Sequence, residues 1–217
     1  MAKAAYKIME KANPDGIDIN MGCPVYKVVS NFNGCALMKD PELASNIIKE
    51  VKQAIGKTPL SIKIRLGWSD PDEFKKFIPV IEKAGADLIT VHGRTKTQGY
   101  SGKSDWIRIG EAKKLATVPI LANGDIHRPE QVNEALKITG ADGVSIARGA
   151  LGNPWFFKLC TNYDYVRITN EYESTNKEVS LEERINVVLK HAKLHVAYYG
   201  DRGMVTFRKH LSWYFKS

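Results

Sequence analysis

Short β-branched runs alternate with helix-patterned segments along the first 160 residues, and that alternation leaves few folds open. The runs are 16–20, 60–66, 87–92, 118–123 and 143–147, most entered through Pro or Gly-Ala-Asp and left through a Gly-containing loop. Helical patterns precede and separate them at 2–11, 41–55, 73–84, 106–116 and 129–138, the second opened by Asp40 as N-cap with Pro41 at the first helical position. Strict β/α alternation implies a parallel sheet with crossover helices. A doubly wound sheet gathers its ligand groups near one switch point. Here polar groups close all five runs: Asn20 to Cys23, Lys63 to Arg65, His92 to Arg94, Asn123 to Asp125, and Arg148. That distribution predicts an α/β (β/α)8 TIM barrel with its site on one rim. Only five of eight units are legible, so the expectation is an incomplete barrel lacking its first three units, by truncation rather than by completion from another chain.

The pattern changes after Lys158. Residues 161–177 read as a polar connector, and two helices follow. Ser180 and Glu183 form an S-x-x-E capping box ahead of Leu181, Ile185, Val188, Leu189, Ala192 and Val196 on one face, with Gly200 as the stop. A second helix is predicted at 204–215, carrying Arg208, Lys209 and His210 beside Trp213 and Tyr214. The domains predicted are a partial barrel at 1–160 and the start of a helical domain at 161–217.

Charge and cysteine content narrow the setting. Lys and Arg number 32 against 24 Asp and Glu, a net +8 that favours a polyanionic partner. Three cysteines are too few for a disulfide framework, and no C-x-x-C pair offers zinc-ligand spacing, so a reducing cytoplasm and no metal are expected. No apolar run is long enough to span a bilayer, and the N-terminus shows no secretory cleavage pattern, so no membrane partner is expected.

The sharpest local signal is Asp18-Ile-Asn-Met-Gly-Cys-Pro24, a strand that delivers an amide and a thiol into a Gly/Pro turn. Near its ordinary pKa a thiol serves as general acid as readily as nucleophile, and its place after a strand sets Cys23 apart from Cys35 and Cys160, which read as structural. In Ser61-Ile-Lys-Ile-Arg-Leu-Gly-Trp68, Lys63 and Arg65 share one face of a strand. An ammonium inside a barrel needs a partner, which implies an anionic or electron-rich ligand. His92-Gly-Arg-Thr95, Asn123-Gly-Asp125 and Ala147-Arg-Gly149 close the remaining runs, and loops after the last strands of such barrels commonly bind phosphate through backbone N–H groups.

In joint order and spacing these segments, with the tail Arg208-Lys-His-Leu-Ser-Trp-Tyr214, resemble the tRNA-dihydrouridine synthases, most of all the bacterial type carrying D-I-N-M-G-C-P. The resemblance covers nearly the whole chain. It implies an FMN-containing barrel followed by a small helical domain that grips tRNA. It implies also that NADPH reduces FMN, that reduced flavin passes hydride to the uracil double bond, and that a cysteine protonates the adjacent carbon. Cys23 matches that acid and Asn20 the group holding the uracil edge. Lys63 and His92 match flavin contacts; Asn123, Gly124, Asp125, Ala147 and Arg148 match residues around its phosphate. Arg94, Lys96, Arg208, Lys209 and His210 are candidates for contact with tRNA.

Two rival readings compete. An FMN barrel reducing a free pyrimidine, of the dihydroorotate dehydrogenase kind, has no use for the basic helical tail. An inactive tRNA-binding remnant is kept open by the truncation, and Cys23→Ala separates it, since a binding module keeps its function without the thiol; a further reading, a phosphate-binding barrel without flavin, leaves Cys23 unexplained.

Overall fold

The computed structural model describes residues 1–160 and 179–215, so the connector expected at 161–177 lies outside the described residues. In chain order the elements are α1 (Ala2–Ala12), β1 (Ile17–Asn20), α2 (Tyr26–Val29), α3 (Pro41–Ile55), β2 (Leu60–Arg65), α4 (Phe74–Ala84), β3 (Leu88–His92), α5 (Trp106–Leu115), β4 (Ile120–Asn123), α6 (Glu130–Thr139), β5 (Gly143–Ser145), α7 (Leu181–Tyr199) and α8 (Arg202–Tyr214). The Asp40 carboxylate accepts a hydrogen bond from the Leu43 N–H at 2.9 Å, which fixes the start of α3 ahead of Pro41. Asp105 does the same for α5 through the Arg108 N–H.

The five strands form one parallel sheet in the order β1-β2-β3-β4-β5. Each strand pairs with its neighbours in sequence, so the sheet has no switch point; this is the order of successive units in a (β/α)8 barrel, five of which are present. The Gly-Ala-Asp entries are register pins. Asp87, ahead of β3, accepts from the Leu60 N–H of β2 and from Lys52 of α3. Asp142, ahead of β5, repeats the arrangement with the Ile120 N–H of β4 and Lys113 of α5.

Because strand side chains alternate, pairing register decides which residues share a face. Asn20, Lys63, Thr90 and Leu121 stand opposite one another across four strands, and Arg65, His92, Asn123 and Ser145 form a second row. The opposite face is apolar: Ile62, Ile64, Ile89, Val91, Ile120 and Ala122 are fully buried against Ile48 and Val51 of α3, Phe77, Ile78 and Ile81 of α4, and Ile109 of α5. Each of the larger ones contributes about 1.5–3 kcal/mol. Helices on one face thus leave the polar rows to the other.

Two features were not legible in the sequence. The loop after β1 contains α2 and a 3-10 turn at Gly34–Lys39, whose residues from Gly34 to Met38 are buried. Gly34 is required there, with φ of 58° and only 2.7 Å between the place a Cβ would occupy and the Cys23 carbonyl oxygen. The last strand also ends at Ser145, short of the expected 147.

Contacts divide the chain into two compact units, one of residues 1–125 with 134–145 and one of residues 126–133 with 146–217. This packing boundary falls earlier than the change of sequence pattern at 160/161. The reason is that Gly149, Gly152 and Trp155 pack on the second unit's own members. A Cβ at Gly149 would lie 2.3 Å from the Ile126 oxygen, one at Gly152 2.2 Å from the Trp213 backbone, and Trp155 Nε1 donates to Glu183 at 2.7 Å. The last bond also halves the capping box: Ser180 Oγ accepts from the Glu183 N–H at 3.1 Å, while the Glu183 carboxylate turns to the indole. In this unit α7 and α8 cross closely at Gly203, over a small core of Val188, Phe207 and Tyr214. Among the described residues no helix is long and apolar enough to cross a membrane.

Candidate active site

The thiol loop is built by its own asparagine. Asn20 Oδ1, at the end of β1, accepts from the N–H groups of Gly22 and Cys23, both at 3.0 Å, folding the chain into an Asx-type turn. The Cys23 carbonyl in turn accepts from the Cys35 N–H at 3.0 Å. Cys23 is left half-buried, with a pinned backbone. Cys35 is fully buried, and burial pushes its thiol up to about 11, consistent with a structural role.

Beside this turn, Lys63 projects from β2 in register with Asn20. Burial, reinforced by the Arg65 charge, lowers its pKa to about 8. Among the described residues no acceptor bonds its ammonium, so Lys63 is a largely desolvated cation. One consequence is measurable. Below about pH 8 the folded protein carries the full cost of this charge, and the cost is relieved as pH rises from there toward the unfolded value. Lys63→Met is therefore expected to raise the unfolding free energy of the ligand-free protein at neutral pH by about 1–3 kcal/mol, read by urea titration, while weakening ligand binding.

His92, at the end of β3, is buried, and desolvation together with the charges of Arg65, Lys63 and Arg94 drives its pKa down to about 3. It is a neutral imidazole at physiological pH. Below about pH 6.5 the unfolded chain takes a proton that folded His92 refuses, so native stability falls as pH drops toward 3. His92→Gln is expected to flatten this acid loss by about 1 kcal/mol per pH unit below pH 6, measured from urea midpoints.

Two buried arginines frame the site. Arg65 Nε donates to the Gly22 carbonyl at 2.9 Å, and its Nη1 donates to the Thr95 and Gly99 carbonyls at 2.7 and 2.9 Å. It ties the loop after β1 to the loop after β3. Arg94, only 2% exposed, donates to the carbonyls of Ser101 and Gly102 and to the Asp125 carboxylate at 2.7 Å. Asp125 also accepts from the Ser104 N–H. Arg94 was expected at tRNA phosphates; the fold instead buries its guanidinium against these loop carbonyls, the Asp125 carboxylate and the His92 ring, whose Nε2 lies 3.5 Å from Nη1.

Asn123 Nδ2 donates to the Ser145 carbonyl at 2.6 Å, tying β4 to β5. At Gly124, φ is 120°, and a Cβ would lie 2.3 Å from Ser104 Oγ and 2.8 Å from the His92 ring, so only glycine allows this approach. Lys96 and Lys39 both place their ammonium groups over the Trp68 ring, 4.4 and 4.7 Å from its centre.

The first unit thus brings together Asn20, Cys23, Lys63, His92, Asn123, Gly124 and Asp125. Ala147, Arg148, Arg208, Lys209 and His210 belong to the second unit. There Arg208 and Lys209 are exposed on α8, whereas the half-buried His210 packs among the rings of His191, His195, Phe207 and Trp213.

A thiol, a cation and a neutral imidazole on the polar side of a sequentially ordered parallel sheet coincide with a full-length match, over residues 1–217, to the family described as dihydrouridine synthase (Dus). The chain belongs to that family. Its relatives in the Dus family include a probable tRNA-dihydrouridine synthase of Rickettsia conorii, 40% identical over 99% of this chain and 63% of the relative. Probable tRNA-dihydrouridine synthase 1 of Synechocystis is 38% identical over 100% and 59%, and tRNA-dihydrouridine synthase B of Pasteurella multocida is 37% identical over 99% and 63%. The chain spans a little under two thirds of the length of these relatives. Among solved structures, a putative phosphonomutase from Burkholderia cenocepacia is similar in fold, with a TM-score of 0.51 at 14% identity over 78% of this chain and 87% of that one.

Sequence reasoning passed over Arg65 as a site residue. Its alternation with Lys63 was the available signal, but three carbonyl partners in two distant loops were not. Glu73 was likewise missed: its carboxylate accepts from the N–H groups of Trp68, Ser69 and Asp70, shaping the loop after β2.

Proposed function

We propose that the protein to which this chain belongs reduces uridine to 5,6-dihydrouridine in tRNA, with FMN as cofactor and NADPH as reductant. One observation carries the reading: a half-buried thiol on a pinned loop lies near a largely buried ammonium that has no hydrogen-bond acceptor among the described residues, with a neutral buried imidazole on the same sheet face as that ammonium. The relatives named as tRNA-dihydrouridine synthases support the substrate.

The residues present fit a flavin. Lys63 offers an ammonium without a hydrogen-bond acceptor among the described residues, suited to the electron-rich side of an isoalloxazine, and His92 offers a neutral ring that adds no charge. Gly124 serves the site indirectly, by letting Ser104 and the His92 ring close against its backbone. These groups would hold FMN, which when bound and reduced supplies the hydride.

The chain's own chemistry is the proton and the positioning. Cys23 gives its thiol proton to the uracil carbon adjacent to the one that receives hydride, and the thiolate is reprotonated from solvent. Asn20 spends Oδ1 on the loop and keeps Nδ2 to donate to a uracil carbonyl. The base must leave its stack to reach the thiol, and a net charge of +8, with Arg208 and Lys209 exposed on α8, supplies attraction for the tRNA backbone.

The deciding experiment incubates unmodified tRNA with the intact protein, FMN and NADPH, and measures nucleoside masses. A gain of two hydrogens on uridine is expected. A protein that retains FMN but leaves every uridine unchanged overturns the proposal.

A further inference from the structure

Away from the candidate active site, α7 and α8 bring three imidazoles together. His191 and His195 lie four residues apart on α7, the spacing that puts two side chains on one helix face, and His210 meets them from α8. One potential ligand atom from each lies within 4.8 Å of the other two, and ring centres are 5.0 to 6.1 Å apart. All three side chains are half-buried.

One nitrogen of each imidazole in the α7 pair is already engaged by a hydroxyl of α8. His191 Nδ1 lies 3.1 Å from the Tyr214 hydroxyl and His195 Nε2 lies 2.8 Å from Thr206 Oγ1. Metal-ligating imidazoles are held in this way, through the nitrogen that does not ligate, leaving Nε2 of His191 and Nδ1 of His195 as donors. No carboxylate belongs to the cluster, so calcium and magnesium, which require oxygen ligands, are poorly served. Three neutral nitrogen donors suit zinc and its neighbours in the first transition row.

We propose that His191, His195 and His210 form a binding site for one divalent transition-metal ion of the zinc class, which clips α7 to α8. With metal–nitrogen bonds of about 2.0–2.1 Å, tetrahedral ligands stand roughly 3.4 Å apart, so the three nitrogens reach the ion by side-chain rotation of about 1–1.5 Å. A fourth position remains for water. The clip has a clear structural use, because among the described residues the core between these helices is small: Val188, Phe207 and Tyr214, with Val187 and Ala192 partly buried against them. A bound ion adds folding free energy where burial supplies little.

The test uses the intact protein, stripped with a chelator and titrated near neutral pH first with Co2+ and then with Zn2+. One equivalent of Co2+ is expected to develop the visible absorption of a tetrahedral nitrogen site, bleached by Zn2+. Zn2+ at about a hundredfold excess over its Kd should raise the Tm by about 5 °C. His195→Gln and His210→Gln should each weaken binding at least tenfold, and His127→Gln, an exposed histidine outside the cluster, should leave it unchanged. Absence of the tetrahedral Co2+ spectrum in the wild type overturns the proposal whatever the variants do. Equal binding by a His195→Gln/His210→Gln double variant overturns it as well.

Discussion

Under the proposed reaction, Cys23→Ala is expected to lower the rate of uridine reduction by about 10²–10⁴-fold, the usual contribution of a positioned proton donor, and to leave flavin absorbance and tRNA binding close to wild type. The expectation follows from how the loop is held. Its turn depends on Asn20 Oδ1 accepting from the backbone of Gly22 and Cys23, and on the Cys23 carbonyl accepting from Cys35. None of these bonds involves the sulfur, so alanine keeps the backbone and removes only the proton. Nucleoside mass analysis of single-turnover reactions provides the rate, and visible absorbance of the same sample reports the flavin. Reduction at the wild-type rate would remove Cys23 from the chemistry; loss of bound flavin would recast it as a structural residue.

Arg65→Ala is expected to cost about 3–5 kcal/mol of stability, the largest single effect in the first unit. Arg65 is 2% exposed, and removal of its guanidinium strands the Gly22, Thr95 and Gly99 carbonyls together. Their loss also frees the thiol loop from the loop after β3, so activity falls with stability. Arg65→Lys should recover only a minor part, because one ammonium cannot span carbonyls that a planar fork reaches from two nitrogens. Urea unfolding of the three proteins measures both differences. A loss under about 1 kcal/mol for the alanine variant would mean that the loops hold without this clamp.

Much of this architecture was open to inspection in the primary structure. Period-two runs bounded by Gly-Ala-Asp are recognisable because alternation and turn chemistry act over a few residues; Asp87 and Asp142 use those turns to set register. The Asp40 and Ser180 caps are legible for the same reason. The thiol just after a strand's end, and Lys63 on the same face as Asn20, also follow from local pattern. Arg94 shows the opposite case. Its position after β3 suggested a phosphate contact, yet burial and the Asp125 carboxylate, 31 residues on, make it part of the wall.

His210 follows the same logic: beside Arg208 and Lys209 it reads as part of a basic stripe, and helix packing turns it toward His191 and His195 instead. Local periodicity was enough to establish the strands, helices, caps and the chemical types at each strand end, because those depend on neighbours within a turn or a strand. Which polar groups remain available to a ligand depended on partners far along the chain, such as the 43 residues between Arg65 and Gly22. Hydrogen-bond geometry selects those partners by distance in space, and only the assembled sheet brings them within reach.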